Sequence, residues 1–446
     1  MKYRQFLLAL FACAFVYSFL ASIFIREAII PAVYPQSVGG HLPSDPYTYH
    51  LLAEKNADIF RQGGSAFNFS PDGQRIAGVT SAVYVLGGSV YSIVFLNCLL
   101  HALSVVTLFL ILRHWFSACS STVGIVPLLI SPYMMLWFSQ INKESYTLFG
   151  VLLFMYGFIK FLPLDRFFSC KALLVLIQMI IGALFIWLIR PYINHILLPS
   201  VVLIIMAAFL YYKKSQWTRL FYGIGVITLF GVISFSGSSG QSSYQTVAQA
   251  VNGPQKVVVQ HNAVADECFK KIVNWENEKF LPAFVNNRLR GLMEQRCRIF
   301  TILDVEKNRT VVKSFFTVDW LPSSSLEAIH YIPIAFANGI ASPWPWTVLS
   351  VVQPTLSIFY LFAIFESYLL YFGLLGLFLW MVRNRQLSLL VPILCSASVM
   401  TAFAMSVPFL GALYRYRYPW WILLIGLGLA ALSELRNWEK KVSHKT

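Results

Sequence analysis

The sequence predicts an all-α, polytopic transmembrane bundle of about ten spans with one mid-chain extracytoplasmic insertion. Three observations predict it. Of the 446 residues, 57% are hydrophobic and only 12% are charged, where an ordinary soluble domain carries about 25% charged residues. The mean hydropathy is +0.65. The apolar residues gather into runs close to the ~20 residues that a helix needs to cross a hydrocarbon core. Within that core every backbone polar group must be satisfied inside its own segment, which a helix achieves.

Taken in order, the spans are predicted at 6–25, 91–112, 118–138, 146–162, 172–189, 194–212, 218–235, 358–382, 387–406 and 419–434. Lys2 and Arg4 ahead of the first run resemble a signal peptide, but no small-x-small cleavage site follows, so the run is read as an uncleaved helix. The formal charge of +15 is not read as a nucleic-acid footprint, because the basic residues sit in short clusters between apolar runs. Arg113, Lys160 with Arg166 and Lys171, Lys213 with Lys214 and Arg219, Arg383 with Arg385, and Arg436 through Lys445 all follow even-numbered spans. Basic residues mark the cytoplasmic side, so both termini are expected in the cytoplasm. Arg26, Lys55, Arg61 and Arg75 in the first outer loop run against that pattern.

Three modules are expected: an N-terminal transmembrane module over 1–235 with an outer loop at 26–90, a loop domain over 236–346, and a C-terminal transmembrane module over 347–446. The outer loop holds an amphipathic helix near 46–62 and an interrupted apolar stretch at 76–90, read as re-entrant or interfacial. The loop domain opens on a Ser/Gly-rich linker, carries helical patterns near 264–300 and ends at Pro343-Trp344-Pro345-Trp346. Cys268 and Cys297 both fall in it, and the sequence leaves open whether they pair. The other five cysteines lie in or beside apolar runs and are read as packing residues.

On this topology four polar motifs share the outer side: Asp45 before the amphipathic helix, Asn142-Lys143-Glu144, Arg190-Pro191-Tyr192, and Tyr414-Arg415-Tyr416-Arg417-Tyr418. Charges at the ends of long spans are expensive to dehydrate and mark functional candidates. A carboxylate can take a proton from an acceptor hydroxyl, and guanidinium groups can hold a phosphate. Asp45 and Glu144 are the catalytic candidates. Tyr49, Lys143, Arg190, Tyr192, Arg288, Trp344, Arg415 and Arg417 are the substrate-binding candidates. Each has a plainer reading: Asp45 as a helix N-cap before Pro46, Lys143-Glu144 as a surface pair, the arginines as headgroup anchors or, at 288–298, as a solvated face, and Trp344 as an interfacial aromatic.

The order and common side of these motifs resemble the GT-C class of membrane glycosyltransferases. In that class a first outer loop holds an essential acidic residue, which Asp45 in Asp45-x-x-x-Tyr49 matches; Pro132 through Glu144 and Gly411 through Pro419 resemble later loops of bacterial relatives. The chain has Ser44-Asp45 where the commonest pattern has an acidic pair. The resemblance implies transfer of a sugar from a polyprenyl-phosphate donor to a lipid-linked or envelope glycan acceptor, at the outer face of a bacterial inner membrane, with membrane lipid as a partner and no nucleic acid. Neither a CxxC nor a His/Cys metal spacing occurs, so no cofactor is assigned and a divalent metal is left open. The alternatives are a Wzy-type repeat-unit polymerase, a lipid-linked oligosaccharide flippase, and a non-enzymatic scaffold of an export complex.

Overall fold

A computed structural model describes residues 3–35, 37–42, 45–64, 67–161, 169–190, 192–193, 197, 263–302, 320–342, 344 and 357–443. The described residues are helical throughout, with two isolated β-bridges and no strand. Among the described residues five helices are long and apolar enough to cross a membrane, or six if one bent pair is a single span. The predicted runs at 194–212 and 218–235 lie outside the described residues, Leu197 apart.

The chain forms two compact units. The first comprises Met1–Asn252, Phe372–Pro392 and Ile422–Thr446; the second comprises Gly253–Tyr371 and Ile393–Trp421. In the first unit, α1 (Tyr3–Phe24) runs on through a π-helical turn (Ile25–Ile29) into Ile30–Val33. It buries only small residues, Ala14, Ser18 and Ser22, and exposes Leu8, Val16, Leu20 and Phe24. Such a face has no favourable place in water and suits lipid. α2 (Asp45–Arg61) and α3 (Arg75–Val85) fill the first loop. At 11 residues, α3 is too short to span, in keeping with the interfacial reading.

α4 (Val90–Leu112) opens on a capping box between Ser89 and Ser92 and packs along α1. The run at 118–138 is broken rather than continuous: α5 (Ala118–Ile130) and α6 (Pro132–Phe138) meet at 54°. Pro132 cannot donate to the α5 ladder, and the Ser131 side chain caps the new helix by accepting from Met134 N–H. α7 (Glu144–Phe161) and α8 (Cys170–Ile189) form a closely packed pair. A Cβ on Gly150 would lie 2.8 Å from the Gly182 carbonyl oxygen. Small residues at the contact let two backbones approach, the usual device where lipid removes the hydrophobic drive to associate.

In the second unit, α9 (Ala263–Val273) and α10 (Ala283–Ile302) are joined by a Cys268–Cys297 disulfide, resolving what the sequence left open. α11 (Ser325–His330) and α12 (Ile332–Ala341) follow. α13 (Ser357–Asn384), α14 (Leu390–Ser406) and α15 (Leu410–Ser443) are apolar helices that contribute to both units. α15 starts nine residues before the predicted span at 419, with Pro419 inside the helix, so the Tyr414–Tyr418 motif is helical and not a loop.

Candidate functional site

The first unit builds its site on one turn. Asn97, buried in α4, donates to the carbonyls of Phe138 (3.1 Å) and Gln140 (2.8 Å) and accepts from Ser145 Oγ (2.7 Å), which fixes the turn carrying Asn142, Lys143 and Glu144. Gln140 in turn ties the Gly40–Leu42 segment to this turn: its Nε2 donates to Gly40 O (3.0 Å) and its Oε1 accepts from Leu42 N–H (3.1 Å). Gly40 has φ +69°, and a Cβ there would sit 2.9 Å from Arg26 O, so only glycine fits without strain.

On that frame Lys143 Nζ donates to Gln74 Oε1 (2.8 Å) and stands 4.9 Å from the ring centroid of Tyr49. Such a cation–π contact is worth about 0.5–2 kcal/mol. Tyr49 is buried and Asp45 is exposed. They stand four residues apart on α2, so they share one face of the helix. Tyr49 is thus the residue that Lys143 stands over, and Asp45 lies one helical turn before it on α2.

Glu144, a catalytic candidate, and Arg190, a substrate-binding candidate, form a buried ion pair. Arg190 Nη2 lies 2.6 Å from Glu144 Oε1, and both side chains are 2% exposed. Glu144 is the first residue of α7 and Arg190 is the C-cap of α8. A negative group at a helix N-terminus and a positive one at a C-terminus each complement the peptide dipoles. α3 is pinned at the same end: Arg75 Nη1 donates to Trp187 O (2.6 Å), with its guanidinium 4.4 Å from the Trp187 ring. Tyr192, beyond Arg190, is 41% exposed.

A second constellation on α2 was not singled out from the sequence. His50 Nδ1 is 2.9 Å from Tyr84 Oη, and His50 Nε2 is 3.3 Å from Glu54 Oε1. The Arg61 guanidinium contacts Asp58 (3.4 Å) and donates to the Tyr84 carbonyl. These groups line a cleft of about 290 Å³ with Ala57, Gly88, Ser89 and Val90. Behind it His41 stacks on His50 at 4.5 Å, and Arg26 Nη2 is 3.2 Å from His41 Nε2. A guanidinium can only donate, so this nitrogen accepts and His41 is neutral. Burial, then the Arg26 charge and His50, pushes the His41 pKa down to about 3. Burial also lowers that of His50, opposed by Glu54, and raises that of the Tyr84 phenol, with Glu54 adding to the rise. The available signal was the polar stripe His50, Glu54, Asp58 and Arg61 at helical spacing. His50 stands inside α2.

In the second unit Arg288 is exposed, Arg415 is half-buried and Arg417 is fully buried. Arg417 Nη1 donates to the carbonyls of Asn338 (3.2 Å) and Gly339 (2.7 Å), Trp421 Nε1 to Ile340 O (3.0 Å), and Tyr371 Oη to Ala341 O (2.5 Å). These are the carbonyls of the last turn of α12, where a helix runs out of its own donors; of the four, Asn338 O also accepts from Ser342 N–H. Arg417 thus serves as a tertiary helix cap where the sequence suggested a phosphate ligand. Trp344 Nε1 donates to Asn338 Oδ1 (3.3 Å) at the same terminus. Arg296, buried where Arg288 is not, donates to Met405 O (3.3 Å) in the last turn of α14, beside Phe300, Trp320 and Tyr331. Burial lowers its pKa to about 10. Glu366, a buried carboxylate within α13 that the span reading passed over, accepts from Tyr414 Oη.

The candidates thus divide between the units: Asp45, Tyr49, Lys143, Glu144, Arg190 and Tyr192 in the first, Arg288, Trp344, Arg415 and Arg417 in the second. Among the described residues no group of three or more His, Cys, Asp or Glu is spaced to hold a metal ion. No protein-family model and no curated protein matches the chain.

Proposed function

We propose that this protein is a membrane glycosyltransferase that moves a sugar from a polyprenyl-phosphate donor to a glycan or lipid-linked acceptor at the outer face of a bacterial inner membrane. The observation that carries the reading is the patch in which Lys143 is fixed against Tyr49, one helical turn from the exposed carboxylate of Asp45. Each of the two charged residues is thereby related to Tyr49, Asp45 along α2 and Lys143 through its contact with the ring, and Lys143 directly precedes the apolar helix α7.

In this reaction the acceptor hydroxyl oxygen attacks the anomeric carbon and the bond from that carbon to the phosphate oxygen breaks. The hydroxyl proton passes to Asp45, and the charge on the departing polyprenyl phosphate is met by Lys143. Glu144 and Arg190 serve as positioning residues, because a carboxylate 2% exposed and already salt-bridged cannot meet an acceptor without first breaking that bridge. The disulfide in the inserted segment supports an oxidising compartment for that segment, which is the outer side in this reading.

The test uses the full chain in proteoliposomes, with radiolabelled polyprenyl-phosphate hexoses as donors and a glycolipid extract of a bacterial envelope as acceptor. Stepwise addition of single sugars is expected, with one polyprenyl phosphate released per sugar. Block transfer of preassembled repeat units from a diphosphate lipid would instead identify a polymerase. Movement of intact donor across the bilayer with no new glycosidic bond would identify a flippase.

A further inference from the structure

By sequence α12 falls in the loop domain, yet its contacts in the second unit run along the apolar helices. It starts level with the end of α14 and follows that helix inward. Arg296 donates to Met405 O in the last turn of α14 and stands beside the ring of Tyr331, the residue ahead of α12. Two turns on, Gly339 meets Met400: a Cβ on Gly339 would lie 2.6 Å from the Met400 carbonyl oxygen. Tyr331, Ala335 and Gly339, one turn apart, make the buried edge of the segment. Ile332, Ile334 and Phe336 are exposed, the last two at 52% and 49%.

Three helices give the depth of its far end. Tyr414 donates to Glu366 near the start of two membrane-length helices, Phe362–Asn384 and Leu410–Asn437, so both begin on one side. The short connection from Ser406 to Leu410 puts the end of α14 on that side too. The groups that meet the last turn of α12 lie well in from those ends. At 1.5 Å per residue, Tyr371 stands about 13 Å along α13 from Phe362, Arg417 and Trp421 about 10 and 16 Å along α15, and Met400 about 9 Å back along α14. α12 has 10 residues, which makes it about 15 Å long, enough to reach from the helix ends to that level.

We infer that α12 is a re-entrant half-helix: it enters the membrane beside α14, ends inside the hydrocarbon layer, and turns Ile332, Ile334 and Phe336 toward lipid acyl chains. The seal on its C-terminus is what that position requires. In water the last carbonyls of a helix bond to solvent, but at bilayer depth each needs a protein donor. Here Arg417 donates to Asn338 O and Gly339 O, Trp421 to Ile340 O and Tyr371 to Ala341 O. Water-exposed apolar side chains and solvent-excluding caps would both be wasted on a helix in an aqueous domain. No part of this argument uses the transfer step, so it stands or falls separately from the proposed function.

The test places the full chain in nanodiscs of phosphatidylethanolamine and phosphatidylglycerol. Ile332, Ile334 or Phe336 is replaced, one at a time, by p-acetylphenylalanine coupled to a hydroxylamine nitroxide, which leaves the cysteines untouched. Asn287 in α10 and Phe378 in α13, both exposed, are the water and lipid references. Electron paramagnetic resonance then reads collision with oxygen, which concentrates in hydrocarbon, and with a water-soluble nickel chelate. All three α12 positions should collide mainly with oxygen, as Phe378 does, and Phe336 should lie deeper than Ile332 by up to about 6 Å, the rise of one helical turn. The replaced side chains are exposed, so the labelled proteins should keep the parent melting temperature. Collision mainly with nickel, as at Asn287, would place α12 in water. Equal depth at Ile332 and Phe336 would lay it along the surface, and protection from both reagents would show the face covered by protein. Each of these results would overturn the assignment.

Discussion

Glu144 and Arg190 meet 2.6 Å apart in a setting where each side chain is 2% exposed. Their helices run so that the carboxylate opens α7 and the guanidinium closes α8. The pair fixes the end of a helical hairpin whose neighbouring residue, Lys143, faces Tyr49. Removing one partner would strand a buried charge, which costs about 3–5 kcal/mol, whereas replacing both with apolar groups of similar volume is often neutral. Glu144→Gln and Arg190→Met should each lower the melting temperature sharply in thermal unfolding, and Glu144→Leu combined with Arg190→Met should recover much of the loss. A single variant as stable as the parent would remove the structural role.

Arg417 makes a sharper test of capping against ligand binding. If it holds the α12 carbonyls, Arg417→Met loses two hydrogen bonds from a charged donor, worth about 1.5–3 kcal/mol each at most, and the protein melts earlier with or without substrate. If it held a phosphate, the variant would melt normally and show only a raised KM. We expect the first result, and expect Arg415→Ala to leave the melting temperature nearly unchanged.

The segment carrying α9 and α10 should keep its disulfide in the purified protein. Under non-reducing denaturing conditions a maleimide-polyethylene glycol reagent should add to the five cysteines outside the bridge, Cys13, Cys98, Cys119, Cys170 and Cys395. After reduction all seven should react. With the paired positions separated by 29 in sequence, the chain-entropy contribution is about 3–4 kcal/mol. Cys268→Ser with Cys297→Ser should accordingly make the segment around α9 and α10 more sensitive to protease. Seven adducts before reduction would contradict the pairing.

His41 sets a direction for pH. Its folded pKa is pushed down to about 3, from an ordinary value of 6.5. Between those values the unfolded chain binds a proton that the folded chain does not, so the stability due to neutral His41 is complete above about pH 6.5 and declines as the pH falls. The slope approaches about 1.4 kcal/mol per pH unit. Melting temperatures measured from pH 8 down to pH 4.5 should fall, and His41→Gln should flatten that fall. A parent protein that became more stable on acidification would contradict the neutral, Arg26-bonded histidine.

How much of this was legible in the sequence depends on the range of the interaction. Apolar run length located α1, α4 and α8 to within a few residues, and amphipathic spacing located α2 at Asp45–Arg61 against an expected 46–62. The break at Ser131-Pro132 was written locally but hidden in a run that is apolar on both sides. The Glu144–Arg190 partnership joins positions 46 residues apart, and hydropathy carries no information about which charge turns inward. Arg417 looked like a surface cation because its partners are backbone carbonyls, which every residue has. The cleft at His50 was missed for a related reason: only folding brings Tyr84 and the α3–α4 turn onto the polar stripe of α2.

The central claim is that Asp45 accepts the acceptor's proton while Lys143 meets the donor phosphate. Sugar transfer from polyprenyl-phosphate hexose should be measured for Asp45→Asn and Lys143→Met beside the parent, together with donor binding and melting temperature. The account predicts that Asp45→Asn binds donor and melts like the parent but loses transfer by at least about a hundredfold, the lower range for a lost general base, while Lys143→Met weakens donor binding. Parental transfer rates in the Asp45→Asn variant would contradict it.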